Sequence, residues 1–287
     1  MSFRKKISFI VALLACNIGF SQTFSRDAEI GIMGGGMNYI GDLNNERLDG
    51  KVNLAGSLLF RYDFHSRWAV QIEALYGNIE GGNPDILPDR NLSFQSNILE
   101  ASITLQFNFL PYQTGAFSQR FTPYMFWGLG VFSFNPKTQY TDAHGETQWY
   151  ELQPLCTEGQ GLDLYPDREP YDLIQVSMPF GLGLKYRAFK YVTFGLEYGF
   201  RKTWTDYLDD VSTTYVDPDL LTANTDEMAA ILADRTGEVR SGYKNPIGAQ
   251  RGDDSLDDWY TFFGFNITVK LSFFSNLFGK HNKCEAY

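Results

Sequence analysis

The chain has 287 residues, of which 44% are hydrophobic and 16% are aromatic, and its formal net charge at pH 7 is -10. We expect no nucleic-acid partner, because neutralising phosphates requires a basic surface. We also expect no membrane-spanning helix, because no apolar run approaches the roughly 20 residues that such a helix needs.

The first residues are typical of an export signal. Residues 4–6 are basic, residues 7–15 form a short apolar run, and small residues precede Gln22. This pattern predicts a signal peptide over residues 1–21. Its removal would take away three basic residues and no acidic ones, which changes the formal charge from -10 to -13. Cys16 leaves lipidation open as an alternative.

Further along the chain, apolar and polar residues alternate with the period of two that is typical of half-buried strands. Six segments alternate clearly: 52–62, 68–76, 99–109, 174–186, 192–200 and 259–273. Two more segments predict strands whose phase stays open, because 29–41 is interrupted by consecutive glycines and 123–134 is apolar on both faces. Glycines permit the bulges and bends of a small barrel.

The connections between these eight segments alternate in length. Three are short (63–67, 110–122 and 187–191), and four are long (42–51, 78–97, 135–173 and 202–258). Bacterial outer-membrane barrels have short periplasmic turns and long outer loops. The sequence therefore predicts an all-β fold, an eight-stranded antiparallel transmembrane β-barrel with long extracellular loops.

In this interpretation residues 22–273 form the barrel, and strand 259–273 closes it by pairing with strand 29–41. Both termini lie in the periplasm, and residues 274–287 form a periplasmic tail. Aromatic residues flank the connections and predict two girdles in contact with outer-membrane lipid. Those near the short turns are Tyr62, Trp68, Phe109, Tyr112, Tyr186 and Tyr191, and those near the long loops are Tyr76, Phe200, Trp204, Tyr207 and Trp259. A soluble sheet with an aromatic core is the alternative.

If the apolar faces meet lipid, the opposite faces place charges of both signs in the lumen: Arg61, Glu73, Glu100, Lys185, Glu197, Arg201 and Lys270. An eight-stranded barrel is only wide enough to be filled by side chains. We therefore expect these charges to pair in a plug rather than to line a conducting pore.

The loops carry few candidates for chemistry, and we expect neither an enzyme nor a cofactor. His144 beside Asp142 is the best hydrolase candidate, but a lone loop histidine is usually solvated. Acidic residues at both ends of 202–258 could bind calcium, but they lack the order of an EF-hand. Within that loop, residues 226–233 predict a short helix with Thr225 as its cap. Cys156 and Cys284 are expected on opposite membrane faces, too far apart for a disulfide.

Two loop strings carry the most specific signal, residues 149–161 (WYELQPLCTEGQG) and 205–212 (TDYLDDVS). With strands 29–41, 123–134 and 259–273, they resemble the PorG-type outer-membrane proteins of the type IX secretion system of Bacteroidota. Cys156 stands where that pattern would have glycine. The family-motif residues are Trp149, Tyr150, Pro154, Thr157, Gly159, Gly161, Thr205, Asp206, Tyr207, Asp209 and Asp210.

This resemblance implies a non-enzymatic role, in which the barrel connects the periplasmic PorK/PorN ring, and possible further translocon components, to the outer membrane. It places the contact with the ring on the short turns and the tail. The alternative function is a small outer-membrane barrel with adhesive or binding loops. The two loop strings could also pack as a lid over the barrel mouth.

Overall fold

The computed structural model describes residues 27–44, 51–82, 90–112 and 119–278, so the predicted signal peptide, Cys16 and Cys284 lie outside the described residues. Within these ranges the chain forms ten strands. They are β1 Asp27–Ile40, β2 Asn53–His65, β3 Trp68–Gly81, β4 Phe94–Asn108, β5 Phe121–Ser133, β6 Lys137–Thr141, β7 Thr147–Glu151, β8 Ile174–Arg187, β9 Val192–Thr203 and β10 Trp259–Lys270.

Eight of these strands form a closed antiparallel barrel in the order β3-β2-β1-β10-β9-β8-β5-β4, and pairing of β3 with β4 closes the ring. The first and last strands pair from Glu29 opposite Lys270 to Ile40 opposite Trp259. The predicted fold class and closing pair are confirmed. The remaining strands, β6 and β7, form a hairpin that extends from β4 beyond the barrel.

The barrel has its polar residues inside and its apolar residues outside. Leu58, Ile72 and Leu182 are 65%, 52% and 62% exposed on the outer surface, whereas the lumen side chains between them are buried. In water so much exposed apolar surface would be costly, but a lipid environment removes that cost. The alternative of a soluble sheet with an aromatic core is therefore wrong.

The structure supplies the phases that the sequence left open. In β1, Ile30 and Ile32 face outward and Glu29 faces the lumen. In β5, aromatic residues also point inward, and the Tyr124 ring lies over Gly183, where an added Cβ would be 2.3 Å from the ring. Segment 123–134 is apolar on both faces because one face meets lipid and the other fills the lumen.

The closing strand is shorter than predicted, because it ends at Lys270 and not at residue 273. Its neighbour β9 begins at Val192, opposite Val269, so the residues after Lys270 have no partner strand on the β9 side. Leu271–Phe278 instead form a helix, here called α4. Near its start, the Phe273 ring lies 5.5 Å from that of Tyr191.

The long connections contain structure that the sequence did not predict. The connection between β9 and β10 holds three short helices, α1 Pro218–Asn224, α2 Glu227–Ala233 and α3 Thr236–Val239. The predicted helix is α2, but its cap is Asp226, which accepts a hydrogen bond from the Met228 amide. Thr225 ends α1 instead. Among the described residues, no helix is long and apolar enough to cross a membrane.

Two aromatic residues do not belong to the predicted girdles. Tyr112 lies inside the barrel, where its hydroxyl is 2.8 Å from that of Thr193. Tyr207 packs in the long loops, with its ring stacked 4.9 Å from that of Tyr171. Distance along the chain from a strand end places both residues in the girdles, but it does not show which way a side chain points. Tyr62, Phe109 and Tyr186 do lie exposed near the short turns.

Candidate functional site

The lumen contains a first polar cluster near the end that carries the short turns, called here the short-turn end. Arg61 pairs with Glu29, and both side chains are buried. The Thr268 hydroxyl joins them, since it accepts from Arg61 at 3.1 Å and donates to Glu29 at 2.8 Å. Lys185 donates to the side-chain oxygens of Gln106 and Asn108 at 2.6 and 3.3 Å.

A second cluster surrounds Arg201 deeper in the barrel. Its guanidinium lies 3.6 Å from the Glu100 carboxylate and 3.9 Å from that of Glu73. Glu100 also accepts hydrogen bonds from Tyr260 at 2.5 Å and from Ser177 at 3.0 Å. Five strands thus contribute side chains to one buried group of charges and hydroxyls, which fills this part of the lumen.

The structure places all seven of the predicted lumen charges on the inner face. Glu197 accepts from the Tyr124 hydroxyl at 2.6 Å, and Lys270 donates to Asp27 at 2.7 Å near the short-turn end. The sequence missed Glu29 as the partner of Arg61. The only available signal was the position of Glu29 in a strand whose alternation is broken by glycines.

The opposite end, called here the long-loop end, is covered by a cap formed by residues 152–173 and 204–258. Leu152, Leu208, Val211 and Leu232 of the cap join one buried apolar cluster with Tyr39 and neighbouring residues of the barrel. The cap therefore packs as a continuation of the barrel core.

The two loop strings meet inside this cap. Asp210, of the second string, accepts hydrogen bonds from Thr157 at 2.6 Å and from Tyr171 at 2.8 Å. Arg251 holds both strings together, since it pairs with Glu158 at 2.8 Å and donates to the Asp210 backbone oxygen at 2.6 Å. The sequence did not single out Arg251, because the residues around it give no sign of this distant contact.

Glu158 is the most connected residue of the cap. Its carboxylate accepts from the amides of Ser212 and Thr213 at 3.0 and 2.9 Å, and from the Tyr207 hydroxyl at 3.3 Å. A buried carboxylate is tolerated only with such partners. Glu158, which lies in the first string, therefore fixes the conformation of the second.

Other motif residues have backbone roles. Gly159 and Gly161 adopt positive φ angles of 73° and 78°, and Cys156 adopts a φ of 50°. Cys156 follows the 3-10 helix that contains Pro154, at a left-handed position where a glycine is favoured. The structure thus explains why glycine is expected there. Trp149 and Tyr150 lie on β7, and Trp149 is exposed.

Tyr39 connects the cap to the barrel through two carboxyl groups. Its hydroxyl lies 2.6 Å from Asp209 Oδ2 and 2.8 Å from Asp258 Oδ1. A phenol has one proton and can donate to only one of them. The other contact requires a protonated carboxyl that donates to the Tyr39 oxygen. Asp258 suits this role, because its second oxygen, Oδ2, remains free to accept from the Leu208 amide at 2.9 Å.

The surroundings favour protonation of these acids. Burial, followed by the charges of Asp209 and Asp206, raises the pKa of Asp258 well above its ordinary value. Burial also raises the pKa of Asp209 to about 8 and that of Asp206 to about 8. For Asp210, burial raises the pKa to about 6 against the opposing effect of Arg251. The cap is therefore expected to loosen at alkaline pH.

The described residues do not assemble the chemical alternatives that the sequence raised. His144 lies exposed at the turn of the β6–β7 hairpin, where its amide is bonded to Asp142. In the described ranges, no three His, Cys, Asp or Glu side chains are grouped so that they could hold a metal. The arrangement can hold two loops rigidly over a filled barrel.

Fold and site together define a transmembrane β-barrel of the outer-membrane type with a filled lumen and a capped long-loop end. The chain belongs to the family described as domain of unknown function DUF6089, whose model matches residues 4–153. No curated protein matches the sequence.

The solved structures that are similar to the chain include three outer-membrane proteins. Ail, the attachment invasion locus protein of Yersinia pestis, is 10% identical with a TM-score of 0.40, over 87% of this chain and 100% of that chain. Neisserial surface protein A is 7% identical with a TM-score of 0.40, over 86% and 99%. The N-terminal barrel domain of Pseudomonas aeruginosa OprF is 13% identical with a TM-score of 0.33, over 85% and 99%.

Proposed function

We propose that the chain is a non-enzymatic, PorG-like component of the type IX secretion system that anchors the periplasmic PorK/PorN ring to the outer membrane. The observation that carries this proposal is the double closure of the barrel, by the buried ion pairs of Arg61 and Arg201 and by the cap. A closed barrel suits attachment better than transport. The two loop strings that resemble the PorG type join at Asp210 and Glu158.

In this proposal the short-turn end faces the periplasm and the cap faces outward. The short-turn end carries a basic residue at each turn, namely Arg67, Arg120 and Lys190, although the chain as a whole is acidic. Lys190 is exposed next to Phe189, which is itself 66% exposed. This end therefore suits a ring surface that is acidic and has an apolar contact point.

Site-specific photo-cross-linking tests the orientation and the partner together. A benzoylphenylalanine at Phe189 should capture a ring subunit, because Phe189 is exposed at the proposed interface. Leu164 is a matched control, since it is 62% exposed on the cap at the opposite end. Capture of ring subunits from position 164 and never from 189 would contradict the proposal.

The second candidate is a small barrel with binding loops, which is favoured by the projecting β6–β7 hairpin and its exposed Trp149. This candidate requires no ring. It predicts that the barrel can be deleted without loss of secreted proteins, whereas the anchoring role predicts that secretion stops.

A further inference from the structure

A cleft of about 320 Å³ opens at the long-loop end of the barrel. It lies between the ends of β3 and β4, the segment after β1 and the β6–β7 hairpin. Its walls include Glu80, Gln95, Gln139 and Trp149, and its floor includes Leu43 and Phe94. The volume lies at the lower end of the range of about 300 to 1,000 Å³ that is typical of small-molecule sites.

The walls of this cleft are held together by pairing and hydrogen bonds. Gln95 of β4 pairs with Lys137 of β6, which attaches the hairpin to the barrel. The hydroxyls of Ser93 and Thr138 lie 3.3 Å apart across the same junction. A ligand would therefore find a preformed site and would not have to order the hairpin.

A row of side-chain amides leads into the cleft along the outer surface of β3 and β4. Gln95 donates to Asn78 at 3.1 Å, and Asn78 donates to Asn97 at 2.9 Å. Each amide group has two donor hydrogens and an oxygen with two lone pairs, so these bonds use only part of its capacity. The row presents oriented donors and acceptors to a ligand rich in hydroxyls.

Trp149 provides a flat apolar surface beside these polar groups. It lies on β7 opposite Gln139 and is 51% exposed. An indole next to amide groups matches the two kinds of surface of a sugar ring, which has C–H groups on its faces and hydroxyls around its edge. A purely apolar ligand would leave the amides without partners.

The charges at the cleft are already paired within the protein. Lys51 lies 2.8 Å from Glu80, and Lys137 lies 2.8 Å from Glu151. An ionic ligand would have to compete with these carboxylates. We propose that the cleft binds a neutral saccharide of one or two rings, with its face on Trp149 and its hydroxyls bonded to Gln95 and Gln139. This site does not depend on the proposed anchoring role.

The test is a screen of the purified barrel on a glycan array, followed by calorimetric titration of the strongest neutral binder, a readout that does not depend on the tryptophan that is replaced. We expect binding that Trp149→Ala weakens by about tenfold or more and that Gln139→Ala also weakens. Trp204→Ala is the matched control, because Trp204 is 49% exposed away from the cleft. It should leave the affinity unchanged.

Three outcomes would overturn the proposal. The array could show no neutral glycan bound, it could show only anionic glycans bound, or Trp204→Ala could weaken binding as much as Trp149→Ala. The heat-dependent migration of each folded barrel on gels checks that all variants are folded. None of these results bears on cross-linking at Phe189, so the two proposals fail separately.

Discussion

Arg61 illustrates how much a single buried charge matters in this barrel. It is fully buried beside Glu29 and Thr268, and its removal would leave the Glu29 carboxylate buried and unpaired. Breaking a buried pair on one side costs about 3 to 5 kcal/mol, whereas replacing both partners is often close to neutral.

We therefore expect Arg61→Met to lower the free energy of unfolding by about 3 kcal/mol or more. The measurement is urea-induced unfolding in lipid vesicles. The control is the Glu29→Gln, Arg61→Met double variant, which should recover much of the loss because no charge is then left unpaired. Equal stability of the single variant and the wild type would show that the pair is not buried as described.

Cys156 offers a test of backbone strain at a single residue. Because its φ of 50° is left-handed, a glycine should fit better there. We expect Cys156→Gly to raise the stability of the cap by about 1 kcal/mol, as measured by the protease concentration that cleaves the cap. Cys156→Ala is the control and should give no gain, since alanine bears the same strain. A gain from alanine alone would refute the explanation.

At the residue scale, alternation in the sequence is enough to assign Arg61, Glu100 and Arg201 to inner-face positions. Their partners are harder to predict. Glu29 lies in a strand interrupted by glycines, and Arg251 reaches Glu158 across 93 positions of the chain. Such contacts depend on how the loops fold back over the barrel. A local sequence pattern carries no information about that folding.

The cap is the element whose behaviour should depend most on pH. Asp209 has a pKa of about 8 in the folded protein, far above the ordinary value of about 4 for an aspartate. Between these two values the unfolded chain loses a proton that the folded cap retains. The stability of the cap should therefore fall as pH rises from about 4 to about 8. The carboxyls of Asp42, Asp206 and Glu158 face the same region, and their negative charges oppose ionisation of the buried aspartates of the cap. The positive charge of Arg251 favours that ionisation.

Asp258→Asn tests directly whether Asp258 carries a proton that it donates to Tyr39. The new amide can donate to Tyr39 as the protonated carboxyl does, while its oxygen still accepts from the Leu208 amide. We expect the variant to keep the cap closed and to weaken its pH dependence. The measurement is the labelling rate of half-buried Cys156 between pH 5.5 and 9, in proteins that also carry Cys284→Ser.

Comparison of the two proteins at each pH cancels the pH dependence of the thiol reaction itself. The labelling rate of Cys156 should rise more steeply with pH in the wild type than in Asp258→Asn. Asp258→Ala, which cannot donate, should label fast at every pH. Equal slopes for wild type and Asp258→Asn would contradict the shared proton.

At the element scale, the period of two in the sequence predicts the eight barrel strands, because one face of each meets lipid and the other meets the lumen. It does not predict β6, β7, α1 or α3, which are short and depend on contacts with the cap and the barrel. It also extends β10 too far, since Leu271 and Phe273 continue the alternation although β9 no longer lies beside them.

For the whole molecule, the buried clusters at Arg61 and Arg201 predict a barrel that does not conduct ions. In planar lipid bilayers the purified protein should show no large, stable conductance steps. A variant in which a short flexible linker replaces residues 205–257 should stay closed too, because the plug lies below the cap. Steps that appear when residues 205–257 alone are replaced would mean that the lumen is open and that this part of the cap is its gate.

The central claim is that this closed barrel anchors a secretion machine, and deletion of its chromosomal copy in the source bacterium tests it most directly. We expect that cargo of the type IX system no longer reaches the medium, while other outer-membrane barrels assemble normally and the wild-type copy restores secretion. Normal cargo secretion in the deletion strain would contradict the account.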